Sequence, residues 1–238
     1  MKEHTLGILS GIGAAAGVHM AQRLVELAQE NGAKTDAAFP DFLLYNLPSE
    51  ATTELGIENP QVLLGELALA LKKFNVWGCD YLLLACNTIH QYLPEMKERF
   101  GGVIINMVEL AACEASGAKR VGVICSQSTR DSGIYRRSLE NYCVETIYPS
   151  DASQHFVNAA IDSAICGTNP GRNWKGIHLL DAELRSRGAG CVILGCTELP
   201  LCLKGHPLGA HAIDAGEVAV RQVLRLLSSG APVTSSPL

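Results

Sequence analysis

The sequence predicts an α/β protein of two pseudo-symmetric lobes, each a short parallel sheet flanked by helices, with a cleft between the lobes. Short continuous apolar runs alternate with longer stretches of helical period, which is the pattern of parallel sheets covered on both faces. A composition that is 47% hydrophobic but 5% aromatic favours α/β layers over an all-β sandwich. The third observation is a repeat: Asp80–Thr88 and Gly190–Glu198 each run an apolar strand into a cysteine followed by small hydrogen-bonding residues.

The first lobe is predicted from four strands and two covering helices. Apolar runs bounded by turn residues indicate strands at Thr5–Ser10, Phe42–Asn46, Tyr81–Cys86 and Val103–Asn106. Apolar residues recur at helical spacing in Val18–Asn31 and Val62–Trp77. Each of these segments is followed by a glycine, Gly32 or Gly78, which is typical of a helix C-terminus.

The second lobe is predicted by the same criteria. Its strands are expected at Arg120–Cys125, Glu145–Tyr148 and Cys191–Gly195, and its helices near Thr129–Asn141, Ser153–Ile165 and Trp174–Arg187. Leu201–Gly209 is predicted to be a loop that crosses between the lobes. A last strand at His211–Asp214 and a helix at Glu217–Leu227 would then return to lobe one, which predicts domains 1–112 with 209–238, and 113–208. The tail Ser228–Leu238 is expected to fray.

The bulk composition excludes several classes of function. A net charge of −5, with lysines and arginines scattered singly, provides no basic stripe for nucleic acid. No apolar run reaches the roughly 18 residues that span a bilayer, and the first residues are not followed by a secretory apolar core, so a cytoplasmic protein with no membrane partner is expected. The nine cysteines include no CxxC and no zinc-ligand spacing, so neither a disulfide framework nor a metal site is predicted.

The repeated cysteines, Cys86 and Cys196, are the candidate catalytic residues. Both follow a predicted strand, and the ligand crevice of an open α/β sheet lies beyond the carboxyl ends of its strands. Two thiols on opposite sides of one carbon can move a proton from one face of that carbon to the other, because one serves as thiolate base and the other as thiol acid. The alternative for each cysteine alone is a small buried residue, but the recurrence in matching contexts favours chemistry.

Small polar residues beside these cysteines are the candidate substrate ligands. They are Asn87 and Thr88 after the first cysteine, Thr197 and Glu198 after the second, Ser10, Gly11 and Ile12 in the glycine-rich turn after the first strand, and Ser126 and Thr129 at the matching place in lobe two. Free N–H groups and hydroxyls at these turns can hold a carboxylate. Ser126 and Thr129 are equally consistent with helix capping.

The sequence leaves two alternatives open. The glycine-rich turn resembles a weak dinucleotide fingerprint, although the second predicted strand does not end in the acidic residue that binds a ribose. His90 lies four residues beyond Cys86, either facing the cleft or on the covering face. The seven other cysteines are interpreted as packing residues, Cys125 being the one nearest to the predicted cleft.

These motifs together resemble those of the aspartate/glutamate racemase superfamily, most closely its aspartate-racemase branch. The resemblance is carried by Ala85–His90 (Ala-Cys-Asn-Thr-Ile-His), by Gly195–Leu201 (Gly-Cys-Thr-Glu-Leu-Pro-Leu) and by Ser10–Gly13 in the first turn. It implies a cofactor-independent amino-acid racemase of the aspartate or glutamate type, often dimeric, with Cys86 and Cys196 as the acid/base pair. It also implies substrate contacts from Asn87, Thr88, Thr129, Thr197 and Glu198.

One departure from the family pattern concerns the substrate. Pro48–Glu50 stands where an arginine-bearing turn is common, and a glutamate there would repel a side-chain carboxylate, which argues against a preference for dicarboxylates. The same superfamily also contains maleate-isomerase-like and hydantoin-racemase-like enzymes, which are the nearest alternatives. A non-catalytic amino-acid binding protein and a nicotinamide-dependent oxidoreductase are alternatives of other classes.

Overall fold

Two parallel sheets form the centre of the molecule, as the sequence predicts, and each of them has four strands. The computed structural model describes residues 4–53, 56–168 and 174–229. Its strands are β1 Thr5–Ser10, β2 Asp41–Asn46, β3 Thr52–Thr53, β4 Gly56–Ile57, β5 Tyr81–Leu84, β6 Val103–Ile104, β7 Arg120–Ile124, β8 Glu145–Ile147, β9 Cys191–Leu194 and β10 Ile213–Asp214. The first sheet has the order β2-β1-β5-β6 and the second β8-β7-β9-β10, while β3 and β4 form a separate antiparallel hairpin.

Helices cover both sheets. They are α1 Ala14–Glu30, α2 Pro60–Val76, α3 Leu93–Lys97, α4 Met107–Glu114, α5 Gln127–Ser132, α6 Ile134–Glu140, α7 Asp151–Ile165, α8 Trp174–Ser186, α9 Leu199–Cys202, α10 Pro207–His211 and α11 Ala215–Ser229, with 3₁₀ turns at Asp36–Ala38 and Thr88–Tyr92. The starts of α2 and α4 are capped by asparagine side chains: Asn59 accepts the N–H of Val62, and Asn106 accepts the N–H of Glu109. No helix within the described residues is both long and apolar enough to cross a membrane.

The two sheets have the same strand order, which is the structural basis of the sequence repeat. In each sheet the first strand of the chain lies second, its successor lies at one edge, and the third and fourth strands follow on the other side. The registers of the central pairs also correspond, since Leu9 aligns with Leu84 and Ile124 aligns with Leu194. Cys86 and Cys196 come two residues after the third strand of their own sheets, so the two cysteines occupy equivalent positions.

The last strand differs from the expectation. The sequence predicts a return of His211–Asp214 to lobe one, but β10 pairs in parallel with β9 and completes the second sheet, where it is the counterpart of β6. The helix that follows, α11, nevertheless packs against α1 and α4 of the first half. A two-residue strand carries too little pattern for its sheet to be chosen from sequence. The predicted domain boundaries, 1–112 with 209–238 and 113–208, stay a prediction.

Two helices pack against the opposite half of the molecule, so that the two halves have a common hydrophobic core. α11 follows the second sheet but packs on α1, and α4 follows the first sheet but packs on α6. One cluster of buried side chains accordingly includes Leu6 and Leu83 from the first sheet with Val121 and Ile193 from the second. Burial of this apolar surface contributes to the stability of both halves together.

Three other expectations are corrected. The helix predicted near Thr129–Asn141 is two helices, α5 and α6, because Gly133 adopts a φ of +67° between them and breaks the helix. The predicted crossing loop Leu201–Gly209 contains the end of α9 and part of α10. The expected frayed tail begins inside α11, which extends to Ser229, and its residues 230–238 lie outside the described part of the chain.

Candidate active site

A cavity of about 390 Å³ lies at the carboxyl ends of the third strands of the two sheets. This volume is typical of small-molecule sites, which span roughly 300 to 1,000 Å³. The described residues that line it are Gly11, Ile12, Gly13, Ala14, Ser49, Thr52, Thr53, Gly56, Ile57, Cys86, Asn87, Thr88, Ser126, Ile161, Ile165, Cys196, Thr197 and Glu198. Both repeated cysteines therefore face one cavity that is built from both halves of the chain.

Cys86 lies in an environment that balances opposing effects. Burial raises the pKa of its thiol to about 11, and the nearby Glu198 carboxylate also acts to raise this pKa. Hydrogen bonds from the N–H groups of Ile89 and Thr88 and from the Thr88 hydroxyl act in the opposite direction. These donors stabilise a thiolate at Cys86 once one forms.

Cys196 has a different partner. Its thiol donates a hydrogen bond of 3.1 Å to Oε2 of Glu198. Burial raises the pKa of Cys196 well above its ordinary value, and the charge of Glu198 and the thiol of Cys86 raise it further. The two cysteines are close enough to influence each other electrostatically, and both are thiols at neutral pH.

Glu198 is a buried acid with one oxygen unpaired. Its Oε2 accepts the hydrogen bond from Cys196 and lies 3.2 Å from the Thr197 hydroxyl, whereas its Oε1 has no hydrogen-bond partner within the described residues. Burial raises its pKa. Gly13, with a φ of +96°, lies against it: a Cβ on that glycine would be 1.8 Å from Oε1. The glycine-rich turn thus leaves space for this carboxylate.

Asn87 supplies the matching unpaired donor. The buried Tyr135 on α6 donates its hydroxyl proton to Oδ1 of Asn87 at 2.5 Å, which fixes the orientation of the amide. Its Nδ2 is buried and has no partner among the described residues. A buried donor or acceptor left unpaired costs about 1 to 3 kcal/mol. Counting only partners in the described part of the chain, the site thus contains an unpaired N–H donor and an unpaired carboxylate oxygen.

Hydroxyl groups connect the two halves beside the cysteines. The Thr88 hydroxyl lies 2.7 Å from that of Thr129, and Ser126 donates to Thr129 at 3.0 Å. On the other side, Thr197 donates to the carbonyl oxygen of Ala85 at 3.1 Å. Each of the two cysteine motifs is therefore hydrogen-bonded to the opposite half of the molecule.

The structure brings most of the predicted site residues to the cavity wall. Those that line it are Cys86, Asn87, Thr88, Gly11, Ile12, Ser126, Cys196, Thr197 and Glu198. Ser10 and Thr129 lie behind the wall. The Ser10 hydroxyl is turned toward the carbonyl of Ala14 at 3.2 Å, and Thr129 is held by Thr88 and Ser126. Ser126 also caps α5 by accepting the N–H of Thr129, so capping and lining occur together.

His90 is a structural residue behind the cleft. Its Nδ1 lies 2.9 Å from the carbonyl oxygen of Cys86, and its Nε2 accepts the N–H of Met107 at 3.4 Å. These partners assign the proton to Nδ1. Burial lowers its pKa to about 4, so the ring is neutral near pH 7. It holds the strand end that carries Cys86.

Several wall residues had no signal in the sequence. Thr52, Thr53 and Ile57 belong to a hairpin with two-residue strands, and Ile161 and Ile165 lie one turn apart on α7. The apolar spacing on α7 indicates only a covering helix.

Glu50 and Cys125, whose roles the sequence leaves open, do not line the cavity. Glu50, from the turn that departs from the family pattern, is exposed and does not line the cavity, although its neighbour Ser49 does. Cys125 is buried at the end of β7 and is not part of the wall either. Its interpretation as a packing residue agrees with this position.

The comparison with known proteins finds similarity to racemases. The profile of the family described as Asp/Glu/Hydantoin racemase matches residues 9–223. The broad specificity amino-acid racemase RacX of Bacillus subtilis is 26% identical over 196 residues, which cover 82% of this chain and 85% of that protein. The glutamate racemase of Aquifex aeolicus is 28% identical over 193 residues, covering 78% of this chain and 74% of that one.

A solved structure has the same fold. The aspartate racemase of Picrophilus torridus superposes with a TM-score of 0.78 at 24% identity, covering 97% of this chain and 96% of that chain. The two-lobed α/β architecture is therefore that of a solved racemase. This likeness concerns the fold alone.

Proposed function

This chain belongs to the Asp/Glu/Hydantoin racemase family, and we propose that it is a cofactor-independent amino-acid racemase of the aspartate and glutamate racemase type, with Cys86 and Cys196 as the two proton-transfer groups. The observation that carries the proposal is the equivalence of these cysteines. They follow the third strand of two sheets with the same strand order and line one cavity. A protein that only bound its ligand would not need a thiol at both places.

The unpaired polar atoms of the cavity suit the two charged groups of an amino acid. The Asn87 amide, held by Tyr135, would donate to the α-carboxylate, together with the Thr88 and Ser126 hydroxyls. Glu198 would receive the α-ammonium at Oε1 while Oε2 keeps its hydrogen bond to Cys196. This places Cα of the substrate between donors on one side and an acid on the other.

The substrate would also activate the thiols. The negative charge of Glu198 raises the pKa of both cysteines, and an α-ammonium beside it neutralises that charge. Thiolate formation then becomes easier when an amino acid is bound. A thiolate with a high intrinsic pKa is a strong base, which a weakly acidic Cα–H bond requires.

In the proposed reaction, one sulfur atom removes a proton from Cα and the other returns one. One thiolate takes the proton from Cα and becomes a thiol, and the electron pair of the broken C–H bond is delocalised into the α-carboxylate, where the Asn87 amide and the hydroxyls stabilise the developing charge. The other thiol donates its proton to the opposite face of Cα and becomes the thiolate. The reverse reaction exchanges these roles, so each enantiomer uses one cysteine as base.

Exchange of the Cα proton in heavy water tests this function. Incubation with each common amino acid, with hydantoins and with maleate, followed by NMR and chiral chromatography, is expected to show deuterium at Cα and formation of the opposite enantiomer for at least one amino acid. Turnover of hydantoins or maleate alone would assign the chain to another activity of the family. Calorimetric binding of amino acids without any exchange would indicate a binding protein and contradict the proposal.

The enzyme is further proposed to be a homodimer. Val62, Leu69 and Val76 recur every seven residues along α2 and form an exposed apolar stripe, with Leu69 66% and Val76 77% exposed. Trp77 extends it, beside a groove of about 380 Å³ between α2 and the end of β2. Large exposed apolar side chains beside a groove with a polar border, here Glu66, Lys72 and Lys73, are typical of an interface.

A further inference from the structure

The cavity wall has an unusual charge pattern for a site that holds a small acid. Among the acidic and basic side chains of the described residues, Glu198 alone lines it, and a carboxyl group can carry only a negative charge. Four isoleucines line the same cavity: Ile12 in the turn after β1, Ile57 in β4, and Ile161 and Ile165 on α7. The remaining polar wall consists of hydroxyls, the Asn87 amide, backbone groups and the two thiols.

Two basic residues near the site, among those that the structure describes, have other partners. Arg130, which follows Thr129 on α5, pairs with Asp151 at 2.9 Å and donates to the carbonyl oxygen of Pro149. Both ring nitrogens of His90 are engaged behind Cys86, by a carbonyl oxygen and by the N–H of Met107. Neither Arg130 nor His90 lines the cavity.

This wall discriminates against an anionic side chain. A carboxylate that leaves water for this cavity meets no cation among the described wall residues, so that hydroxyls and amides alone must replace its hydration. It would also be repelled by Glu198. The α-ammonium carries one positive charge, which can compensate Glu198 but not a side-chain carboxylate as well. An apolar side chain against isoleucine gains roughly 25 cal/mol for each Å² removed from water.

We propose that the substrates are amino acids with uncharged, mainly apolar side chains, such as alanine, leucine or methionine, rather than aspartate or glutamate. This inference rests on the proposed racemase function and specifies its substrate class. The four isoleucines contact the side chain, and the Glu198 carboxylate is reserved for the α-ammonium.

A comparison of exchange rates tests the class. The initial rate of Cα deuterium incorporation is measured for alanine, leucine, methionine, aspartate, glutamate and lysine at equal concentration. The best uncharged amino acid is expected to have a kcat/KM at least about 100-fold above aspartate and glutamate, equivalent to about 2.7 kcal/mol. Equal or faster exchange of aspartate, glutamate or lysine overturns the substrate class but leaves the racemase function intact. No exchange with any amino acid overturns the racemase function itself, and the class with it.

A charge introduced at the wall gives a second test. Ile165 is 49% exposed and lies at the end of α7, where a cation is tolerated by the helix. Ile165→Arg should raise the ratio of aspartate to alanine kcat/KM at least about tenfold over that of the matched neutral variant Ile165→Gln. Equal ratios in the two variants would contradict the claim that a missing cation excludes the carboxylate.

Discussion

At the scale of single residues, Glu198 connects the acidity of the two thiols. It accepts the hydrogen bond from Cys196, and its charge raises the pKa of Cys86 as well as that of Cys196. The sequence predicts a substrate ligand at position 198 because this residue follows the second cysteine. Its effect on Cys86 could not be predicted, since that effect depends on the approach of the two halves.

Replacing Glu198 by glutamine tests this coupling. Loss of the negative charge lowers the pKa of both thiols, so the alkaline rise of kcat/KM should move to lower pH. The maximum should fall at least about tenfold, because the α-ammonium loses a charged acceptor worth about 1.5 to 3 kcal/mol. The measurement is a pH profile of racemisation by chiral chromatography, with the exposed Glu50→Gln as control. Superimposable profiles for Glu198→Gln and wild type would refute the coupling.

The buried His90 leads to a prediction about the pH dependence of the free energy of unfolding. Its folded pKa of about 4 lies below the ordinary value of 6.5, so the unfolded chain binds a proton more readily. The stabilisation is complete above about pH 6.5 and is lost as the pH falls toward 4. From this residue alone, the free energy of unfolding should fall by about 2 kcal/mol between pH 7 and pH 5.

Urea denaturation at several pH values measures this effect. His90→Asn keeps a donor to the Cys86 carbonyl but cannot titrate, so the fall between pH 7 and pH 5 should be smaller by about 2 kcal/mol than in the wild type. The exposed His155→Asn serves as control and should follow the wild-type curve. Parallel curves for His90→Asn and wild type would show that the histidine is not held neutral.

At the scale of elements, the turn between β1 and α1 acts through its backbone shape. Gly13 has a φ of +96° and lies against the Glu198 carboxylate. Gly32, just after α1, has a φ of +94°, and a Cβ on it would have no other atom within 4 Å. The two glycines therefore share the same backbone requirement but differ in contact with the site.

This pair provides a matched test. Gly13→Ala and Gly32→Ala should both lose about 1 to 2 kcal/mol of stability from the positive φ. Only Gly13→Ala should also lose activity, at least about 100-fold, because its methyl group displaces the carboxylate that is proposed to bind the α-ammonium. Thermal melts and racemisation rates measure the two effects separately. Equal activity in the two variants would remove Glu198 from the proposed site.

Elements with a long apolar pattern were predictable, and short ones were not. The sequence predicts β1 at its observed bounds because a continuous apolar run ends there in Ser10. The β3–β4 hairpin has two-residue strands, which show no periodicity. The break at Gly133 could not be predicted because its neighbours keep a helical pattern on both sides. Tyr135 had no sequence signal, since its hydroxyl meets Asn87 48 residues away in the chain.

At the scale of the whole molecule, the internal repeat explains why the sequence predicts one candidate cavity that both cysteines line. Two segments with the same pattern must occupy equivalent positions if the halves are pseudo-symmetric, and the sheets do have the same strand order. The partner sheet of the last strand could not be inferred, because chain order alone allowed either sheet. The exchange of α4 and α11 between halves depends on that choice.

The proposed dimer is tested at this scale. The double substitution Leu69→Glu and Val76→Glu places two charges on the exposed stripe of α2 and should convert a dimer to a monomer of about half the mass in light scattering after gel filtration. Leu179→Glu, a charge at another exposed leucine, is the control and should leave the mass unchanged. A wild-type chain that is already monomeric at micromolar concentration would contradict the dimer.

The central claim is that two sulfur atoms, one from each half, exchange a proton with one Cα. Its most direct measurement is racemisation in both directions for Cys86→Ser, Cys196→Ser and Cys125→Ser, the last being a buried cysteine at the end of β7 that lies outside the cavity wall. Either substitution at the cavity should reduce both directions by at least about 1,000-fold, since a serine is a far weaker acid and its alkoxide is not formed at neutral pH, while Cys125→Ser should remain active. Near-wild-type racemisation in both directions by Cys86→Ser or by Cys196→Ser would contradict the two-thiol mechanism.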